Sequence, residues 1–409
     1  MSIRHGNTLL ALSVVVVGLA ARALVDKMLA QGAGPERVAH WAQLQSVFEL
    51  VAGVALAGIG QGLTVLAARQ AGPGDRLIRD GLLWGLCASA GMALLLAFAM
   101  PRLNQWLGRD MVPGVGLGIG AALAGCLSVA PGMFAAYWQG RRWRGRMLLL
   151  ALLTWLPLVM GAAGLCGTAN LHRLLQVQIA TQASLAIGLC LTHRHALRFD
   201  GAWVRSRLRR YLPAGLSIGL LSPASLLWSR AELAQGLSWA EVAQLQAWWR
   251  ASEWITGFAA SVMFLVYLPR LAVVARGRAF EVEMARIWRA VWVPSTMVLV
   301  LLWAGQRDVL TLLYDERFLM PRAASALFLL GDALRIAAWV PLLALFATER
   351  VRPVALGEWL SLPLFAASLS LVRVDSLTLA ATCYASTYAV YLAFNLYCVR
   401  AARPLAPRP

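Results

Sequence analysis

Charged side chains interrupt the apolar runs of this 409-residue chain at few positions: Arg22, Asp26 and Lys27; Glu49; Arg230 and Glu232; Arg250 and Glu253; Asp332 and Arg335; and Glu358. An ionisable group set in hydrocarbon costs about 2.5–3.5 kcal/mol on insertion scales, so such groups face a polar cavity or a partner. The cations Arg22, Lys27, Arg230, Arg250 and Arg335 have the chemistry to bind an anionic substrate, arginine through two parallel hydrogen bonds and lysine as a point charge. The acids Glu49, Glu253, Asp332 and Glu358 are candidates for lining the same cavity and for coupling to an ion gradient. Two pairs carry an alternative, because Arg250 with Glu253 and Asp332 with Arg335 are spaced i, i+3 and can neutralise each other on one helix face. Arg22, Lys27 and Arg230 have less obvious local compensation, although Asp26 sits beside Lys27.

The positions recur. Leu29-Ala30-Gln31-Gly32 and Ala42-Gln43-Leu44-Gln45 anticipate Leu233-Ala234-Gln235-Gly236 and Ala243-Gln244-Leu245-Gln246 about 200 residues on, which reads as two copies of one half. Each copy places a cation about one turn before its Leu-Ala-Gln-Gly run, Lys27 in the first and Arg230 in the second, and Lys27 is the sole lysine of the chain. Gln43 and Gln246 are candidates for a polar cavity wall, where recognition of sugar hydroxyls and plain interhelical hydrogen bonding both remain open.

The elements that position these residues are membrane helices. With 60% hydrophobic and 14% charged residues and a mean hydropathy of +0.66, the chain is too apolar to stay in water. Twelve spans are expected: Thr8–Gln31, Val38–Ala67, Leu82–Met100, Val115–Trp138, Met147–Leu165, Leu174–Leu191, Tyr211–Ala234, Ala240–Leu268, Val291–Trp303, Ala323–Ala347, Val354–Leu371 and Leu377–Tyr397. The ninth has the shortest core. Arginine falls about three times more often in the breaks on one side than on the other, which puts both termini in the cytoplasm. The expected fold is an all-α polytopic membrane protein of two pseudo-symmetric six-helix lobes around a central cavity. Residues 1–195 form the N-terminal lobe, 196–210 a basic cytoplasmic linker and 211–409 the C-terminal lobe. Six is an even number, so the lobes enter the membrane with the same polarity, as parallel repeats.

Several functions are excluded. The net charge of +18 sits in short breaks between apolar runs rather than on a folded polar face, so nucleic acid is not the partner. The first apolar run lacks a small-residue cleavage site and reads as a retained helix. Six single cysteines and dispersed histidines suggest neither disulfides nor a metal, and no cofactor is expected. No nucleotide-binding phosphate loop occurs. A membrane polymerase or glycosyltransferase would need a long outer loop for its catalytic groups, and the longest outer break, Gly305–Arg322, is short.

The words Leu237-Ser238-Trp239-Ala240-Glu241-Val242, Gln246-Ala247, Ser252-Glu253 and Val266-Tyr267-Leu268-Pro269-Arg270-Leu271 resemble the seventh-to-eighth helix region of the O-antigen and enterobacterial common antigen flippases. Further matches are Gly34-Pro35, Gln43-Leu44 and Gly58-Ile59-Gly60-Gln61-Gly62; Phe318 and Leu330-Gly331-Asp332-Ala333-Leu334-Arg335; Glu358; and Tyr384, Thr387-Tyr388 and Tyr391. The resemblance implies the multidrug/oligosaccharidyl-lipid/polysaccharide exporter superfamily. It implies movement of an undecaprenyl-diphosphate-linked glycan from the cytoplasmic to the periplasmic leaflet of a bacterial inner membrane, with a polysaccharide polymerase and chain-length machinery as partners. Lys27, Arg230, Asp332 and Glu358 are the positions it links to the cavity. A drug or small-metabolite exporter of the same fold is the alternative.

Overall fold

A computed structural model describes residues 2–69, 75–107, 115–164, 170–194, 206–274, 277–313 and 316–401. Within these helices the side chains of Lys27, Gln43, Arg230, Gln246 and Arg250 lie outside the described residues, as does the expected linker from 196 to 205.

The described residues form helices and short turns, with no strand among them. Helix α1 (Ser2–Val54) loosens into a π turn at Ala55–Gly60 and continues as α2 (Gln61–Arg69). Arg22 and Glu49 on α1 form an ion pair at 2.7 Å. A straight helix would hold residues 27 positions apart at about 40 Å, so α1 doubles back and supplies the first two expected spans. Four helices complete the next four spans: α3 (Asp75–Leu107), α4 (Val115–Gly140), α5 (Arg144–Gly164) and α6 (Leu171–Thr192).

The second half opens with a 3-10 turn and α7 (Leu212–Leu216), a π turn at Ser217–Leu221 and α8 (Ser222–Gly236). Then come α9 (Trp239–Val262), a π turn at Met263–Tyr267 and α10 (Leu268–Val274). Helices α11 (Arg278–Ile287) and α12 (Val293–Ala304) join through a π turn and are followed by the short α13 (Gln306–Leu313). The chain ends with α14 (Arg322–Ala347), α15 (Val351–Trp359), α16 (Leu362–Val372) and α17 (Leu377–Ala401).

The fold is the expected all-α, multi-pass membrane architecture. Ten stretches among the described residues are long and apolar enough to cross a bilayer. The two expected spans missing from that set are the first and the seventh. In the first the apolar stretch among the described residues is Leu12–Arg22. The seventh consists of α7, a π turn and α8. The ninth span, expected as Val291–Trp303, runs from Arg278 to Ala304. Its missing part is α11, whose charged residues concealed it from a hydropathy reading.

The chain divides into two compact units, Met1–Leu220 and Leu221–Pro409. In the first, the backbone of the π turn after α1 meets α7 so closely that a Cβ on Gly58 would strike the main chain of Gly215, and one on Gly219 that of Gly53 and Val54. Glycine is what permits this approach. In the second, α14 packs along α17, burying Phe328, Ile336, Val340, Leu343 and Phe346. Pro157 lies inside α5, whereas helix eleven is broken between α15 and α16. Pro363 opens α16, and its ring and missing N–H are incompatible with a continuous helix through Trp359, four residues back.

Candidate functional site

In the second unit the sequence candidates converge on three helices. Tyr384, Tyr388, Tyr391 and Asn395 follow one another on α17 at steps of three or four, so they share a face. Phe328, Gly331, Asp332, Arg335 and Trp339 repeat the spacing on α14. Contacts advance in the same direction along both helices, Asp332 with Tyr384 and Arg335 with Tyr388, so the two run parallel, as even-numbered spans must.

Asp332 is 1% exposed, and its Oδ1 accepts a 2.8 Å hydrogen bond from the Tyr384 hydroxyl. Its second oxygen, Oδ2, has no hydrogen-bond partner among the described residues. The ring of Tyr384 is fixed on every side. It stacks on Phe328 at 4.4 Å and 6°, and meets Trp249, Phe365 and Tyr388 edge-on. Gly331 makes this possible, since a Cβ there would collide with the Tyr384 ring. Ser252, 1% exposed on α9, donates to the carbonyl of Trp249 and lines the same region.

Arg335 is half-buried, and no carboxylate pairs with it among the described residues. Its guanidinium carbon lies 5.1 Å from the Trp339 ring centre and 5.5 Å from that of Tyr388. The i, i+3 pairing with Asp332 that the sequence allowed does not form: the acid turns to Tyr384 and the cation to aromatic faces. Cation–π contact holds the plane of a guanidinium and leaves its N–H edge available.

Glu358, buried near the end of α15, stands at the break in helix eleven. Its Oε1 accepts from the Tyr391 hydroxyl at 2.7 Å, and its Oε2 lies 3.3 Å from the Ser361 hydroxyl, which also donates to the Glu358 carbonyl at 2.7 Å. Two carboxyls are thus held by tyrosines two turns apart on one helix, with Arg335 between them at Tyr388.

The first unit distributes its candidates differently. Arg22 and Glu49 pair with each other at 46% and 51% side-chain exposure, so a proposed anion contact and a proposed coupling acid compensate one another. Gln45, next but one to the candidate Gln43, exchanges hydrogen bonds with buried Gln178 on α6 at 3.0 and 3.4 Å. For this glutamine of the repeat, interhelical bonding is the observed role. Glu253 is exposed on α9. Of the tryptophans beside it, Trp248 is fully buried and Trp249 packs into the aromatic cluster, while Trp254 is exposed. Lys27, Gln43, Arg230, Gln246 and Arg250 have no described side chains to place. Sequence reading missed Trp339, Ser361 and Gln178; Trp339 and Ser361, four residues from Arg335 and three from Glu358, had a helical-spacing signal.

No protein-family profile matches the chain, and no curated protein matches it. Solved structures do. A mutant of the Vibrio cholerae MATE transporter VcmN aligns with a TM-score of 0.75 at 13% identity, covering 97% of this chain and 96% of that one. A MATE crystal structure in complex with MaD5 aligns at 0.72 and 14% identity, covering 96% and 94%. A third, a MATE point mutant, aligns at 0.71 and 14%, covering 97% and 96%. Identity this low carries the fold and nothing finer. The chain shares the fold of these MATE structures.

Proposed function

We propose that the protein is a flippase that carries an undecaprenyl-diphosphate-linked oligosaccharide from the cytoplasmic to the periplasmic leaflet of a bacterial inner membrane, by alternating access, for surface polysaccharide synthesis. The observation that carries this reading is Arg335. A guanidinium in an apolar unit is costly unless something compensates it, and this one rests on Trp339 and Tyr388 with no acid in ion-pair contact among the described residues. That arrangement suits a diphosphate, whose oxygens match the two-pronged N–H edge. Lys27, Arg230 and Arg250 are assigned to the same anionic substrate by their place in the repeat, and Arg22 joins them only if its pairing with Glu49 opens. Asp332 and Glu358, each bound to one tyrosine hydroxyl, are assigned to coupling. Glu253, Gln43 and Gln246 remain candidates for the polar wall. A polymerase and chain-length machinery would take up the flipped product.

A second reading, export of a drug or small metabolite, is favoured by the named MATE neighbours and by one feature of the site. Asp332 offers an unpartnered carboxyl oxygen beside Tyr384, Phe328 and Trp249, and an acid among aromatic rings suits an organic cation.

Reconstituted liposomes separate the two. Wild-type protein should move a diphosphate-linked glycolipid between leaflets, and Arg335→Gln should reduce the rate at least about tenfold, the loss of one charge-assisted contact. Movement of an organic cation without the glycolipid, or an unchanged rate in Arg335→Gln at equal protein, would overturn the flippase reading.

A further inference from the structure

One basic cluster lies apart from these candidates. From residue 111 to residue 199 the chain contains no aspartate or glutamate, so α4, α5 and α6 bring no carboxylate of their own. Arg141, Arg142, Arg144 and Arg146 crowd the turn that joins α4 to α5. The turn is tight enough to place Arg142 at φ 60°, in the left-handed region. Trp143 projects from it at 38% exposure. The exposed Arg146 guanidinium lies 4.5 Å from the Trp143 ring and 6.0 Å from that of Trp138, and Arg141 lies 5.9 Å from Trp143. Tryptophan and arginine together are side chains of the headgroup level, where one part is apolar and the other charged.

The helix that leaves this turn continues the pattern. Leu149, Leu153, Leu156 and Met160 are 57%, 48%, 57% and 65% exposed, at steps of four, three and four that align them on one face of α5 starting three residues after Arg146. Leu152 is exposed beside Leu153, which makes the stripe two side chains wide there. α5 is one of the stretches long and apolar enough to span the bilayer, so this face meets acyl chains.

We propose that the α4–α5 turn and the outer face of α5 form a binding site for an anionic diacyl phospholipid, with the headgroup phosphate on Arg142 and Arg146 beside Trp143. Its acyl chains run along the Leu149–Met160 stripe. Charge complementarity calls for an anionic headgroup, and the width of the stripe suits a pair of chains better than a single isoprenoid. The site is independent of the flippase reading, since it uses none of the residues assigned to transport.

The test uses full-length protein purified in an uncharged detergent, with lipid binding counted by native mass spectrometry during titration with dioleoyl phosphatidylglycerol or dioleoyl phosphatidylcholine. Wild type should retain phosphatidylglycerol in preference to phosphatidylcholine. R142Q/R146Q should weaken phosphatidylglycerol binding roughly 30-fold, the factor expected for two arginines near a membrane surface. R142K/R146K should keep most of the binding. R278Q/R289Q, which removes the same charge from the second unit, should leave it unchanged. Equal retention by wild type and R142Q/R146Q would overturn the proposal, as would an equal loss in R278Q/R289Q. Displacement of phosphatidylglycerol by equimolar undecaprenyl diphosphate would overturn the choice of a phospholipid. Should R142Q/R146Q fail to fold, Trp143→Leu keeps both arginines and should still cost several-fold in affinity; no loss there would equally overturn the site.

Discussion

The first unit admits polar groups by bringing backbones together, and the second by surrounding carboxyls with aromatic rings. In the first, glycines at 53, 58, 215 and 219 let helices touch main chain to main chain. Its buried polar contacts include neutral ones, Gln45 with Gln178 and Ser89 Oγ with the Val51 carbonyl, beside a buried Arg79 paired with its chain neighbour Asp80 at 3.1 Å, and the Arg22–Glu49 ion pair stays half-exposed. In the second, Asp332 is buried on the Tyr384 hydroxyl and Glu358 on the hydroxyls of Tyr391 and Ser361, with Arg335 between them outside any ion pair among the described residues. The two units thus differ in what their interiors can bind. Neutral amide pairs and close backbones stabilise a static contact, whereas lone carboxyls and a lone cation are groups whose charge a ligand or a proton can change.

The sharpest way to break this contrast is to enlarge a glycine in each unit. At Gly58 an added side chain meets the backbone of Gly215, which cannot turn aside, so Gly58→Val should cost about 3 kcal/mol, the upper range for overpacking. Gly331→Ala pushes on the Tyr384 ring, clamped by Phe328 and Trp249, and should cost somewhat less while displacing the hydroxyl from Asp332. Gly120→Ala, whose Cβ meets only the tip of Leu175 at 2.8 Å, is the control and should be mild. Thermal unfolding in detergent checks the order. A Gly58→Val protein as stable as Gly120→Ala would show that the backbones of the first unit are not in obligatory contact.

Tyrosine hydroxyls come next. Tyr384→Phe removes the donor to Oδ1 of buried Asp332, whose Oδ2 has no hydrogen-bond partner among the described residues, and Tyr391→Phe removes one of the two donors to Glu358. Stranding a buried polar group costs about 1–3 kcal/mol, so Tyr384→Phe should be the worse of the two. Gln178→Leu in the first unit breaks an interhelical amide pair, a contact that averages about 0.6 kcal/mol in membranes. Should Gln178→Leu prove the more damaging, the units would not differ in the way their contacts suggest.

Much of this was legible in the chain beforehand, because hydrophobic length alone defines a membrane helix. Ten of the twelve expected spans recur as long apolar helices among the described residues, the ninth with its start misplaced, and the break expected between the first two falls within α1. The π turns at Ala55–Gly60 and Met263–Tyr267, one in each unit, were not legible, since no residue type demands a widened turn. Within the site, charge spacing along a single helix was readable and charge pairing between helices was not. Asp332 and Arg335 looked like a pair at i, i+3, yet a tyrosine from α17 took the acid and a tryptophan one turn along α14 took the cation. Arg22 looked uncompensated because Glu49 is distant in sequence and becomes a neighbour only where α1 doubles back.

A smaller effect belongs to the start of α9. The Ser238 hydroxyl accepts from the Glu241 N–H, and the Glu241 carboxylate accepts from the Ser238 hydroxyl at 2.7 Å and its N–H at 2.9 Å, a capping box. These two donors, the hydroxyl first, hold the Glu241 carboxyl below the usual carboxylate range. The sign follows from linkage: a depressed native value adds stability that is present above the unfolded value of about 4.3 and is lost as pH falls through the lower native one. Ser238→Ala should therefore cost about 1 kcal/mol near neutral pH and less in acid. Hydrogen exchange in the first turn of α9, followed from pH 7 downwards, should show the two proteins converging; a constant difference would mean that Glu241 takes no part.

The smallest expected effect bears most directly on the contrast between the units. Exposed ion pairs contribute about 0–1 kcal/mol, so Glu49→Gln should barely change stability, and a double-mutant cycle with Arg22→Gln should give a coupling within that range. The result matters because Arg22 is ion-paired to a carboxylate whereas Arg335, among the described residues, is in no ion pair. If compensation is what separates a structural cation from a substrate cation, Arg22→Gln should leave transport in liposomes near the wild-type rate while Arg335→Gln stops it. Equal losses from the two substitutions would mean that a pair with this much solvent access opens for the substrate.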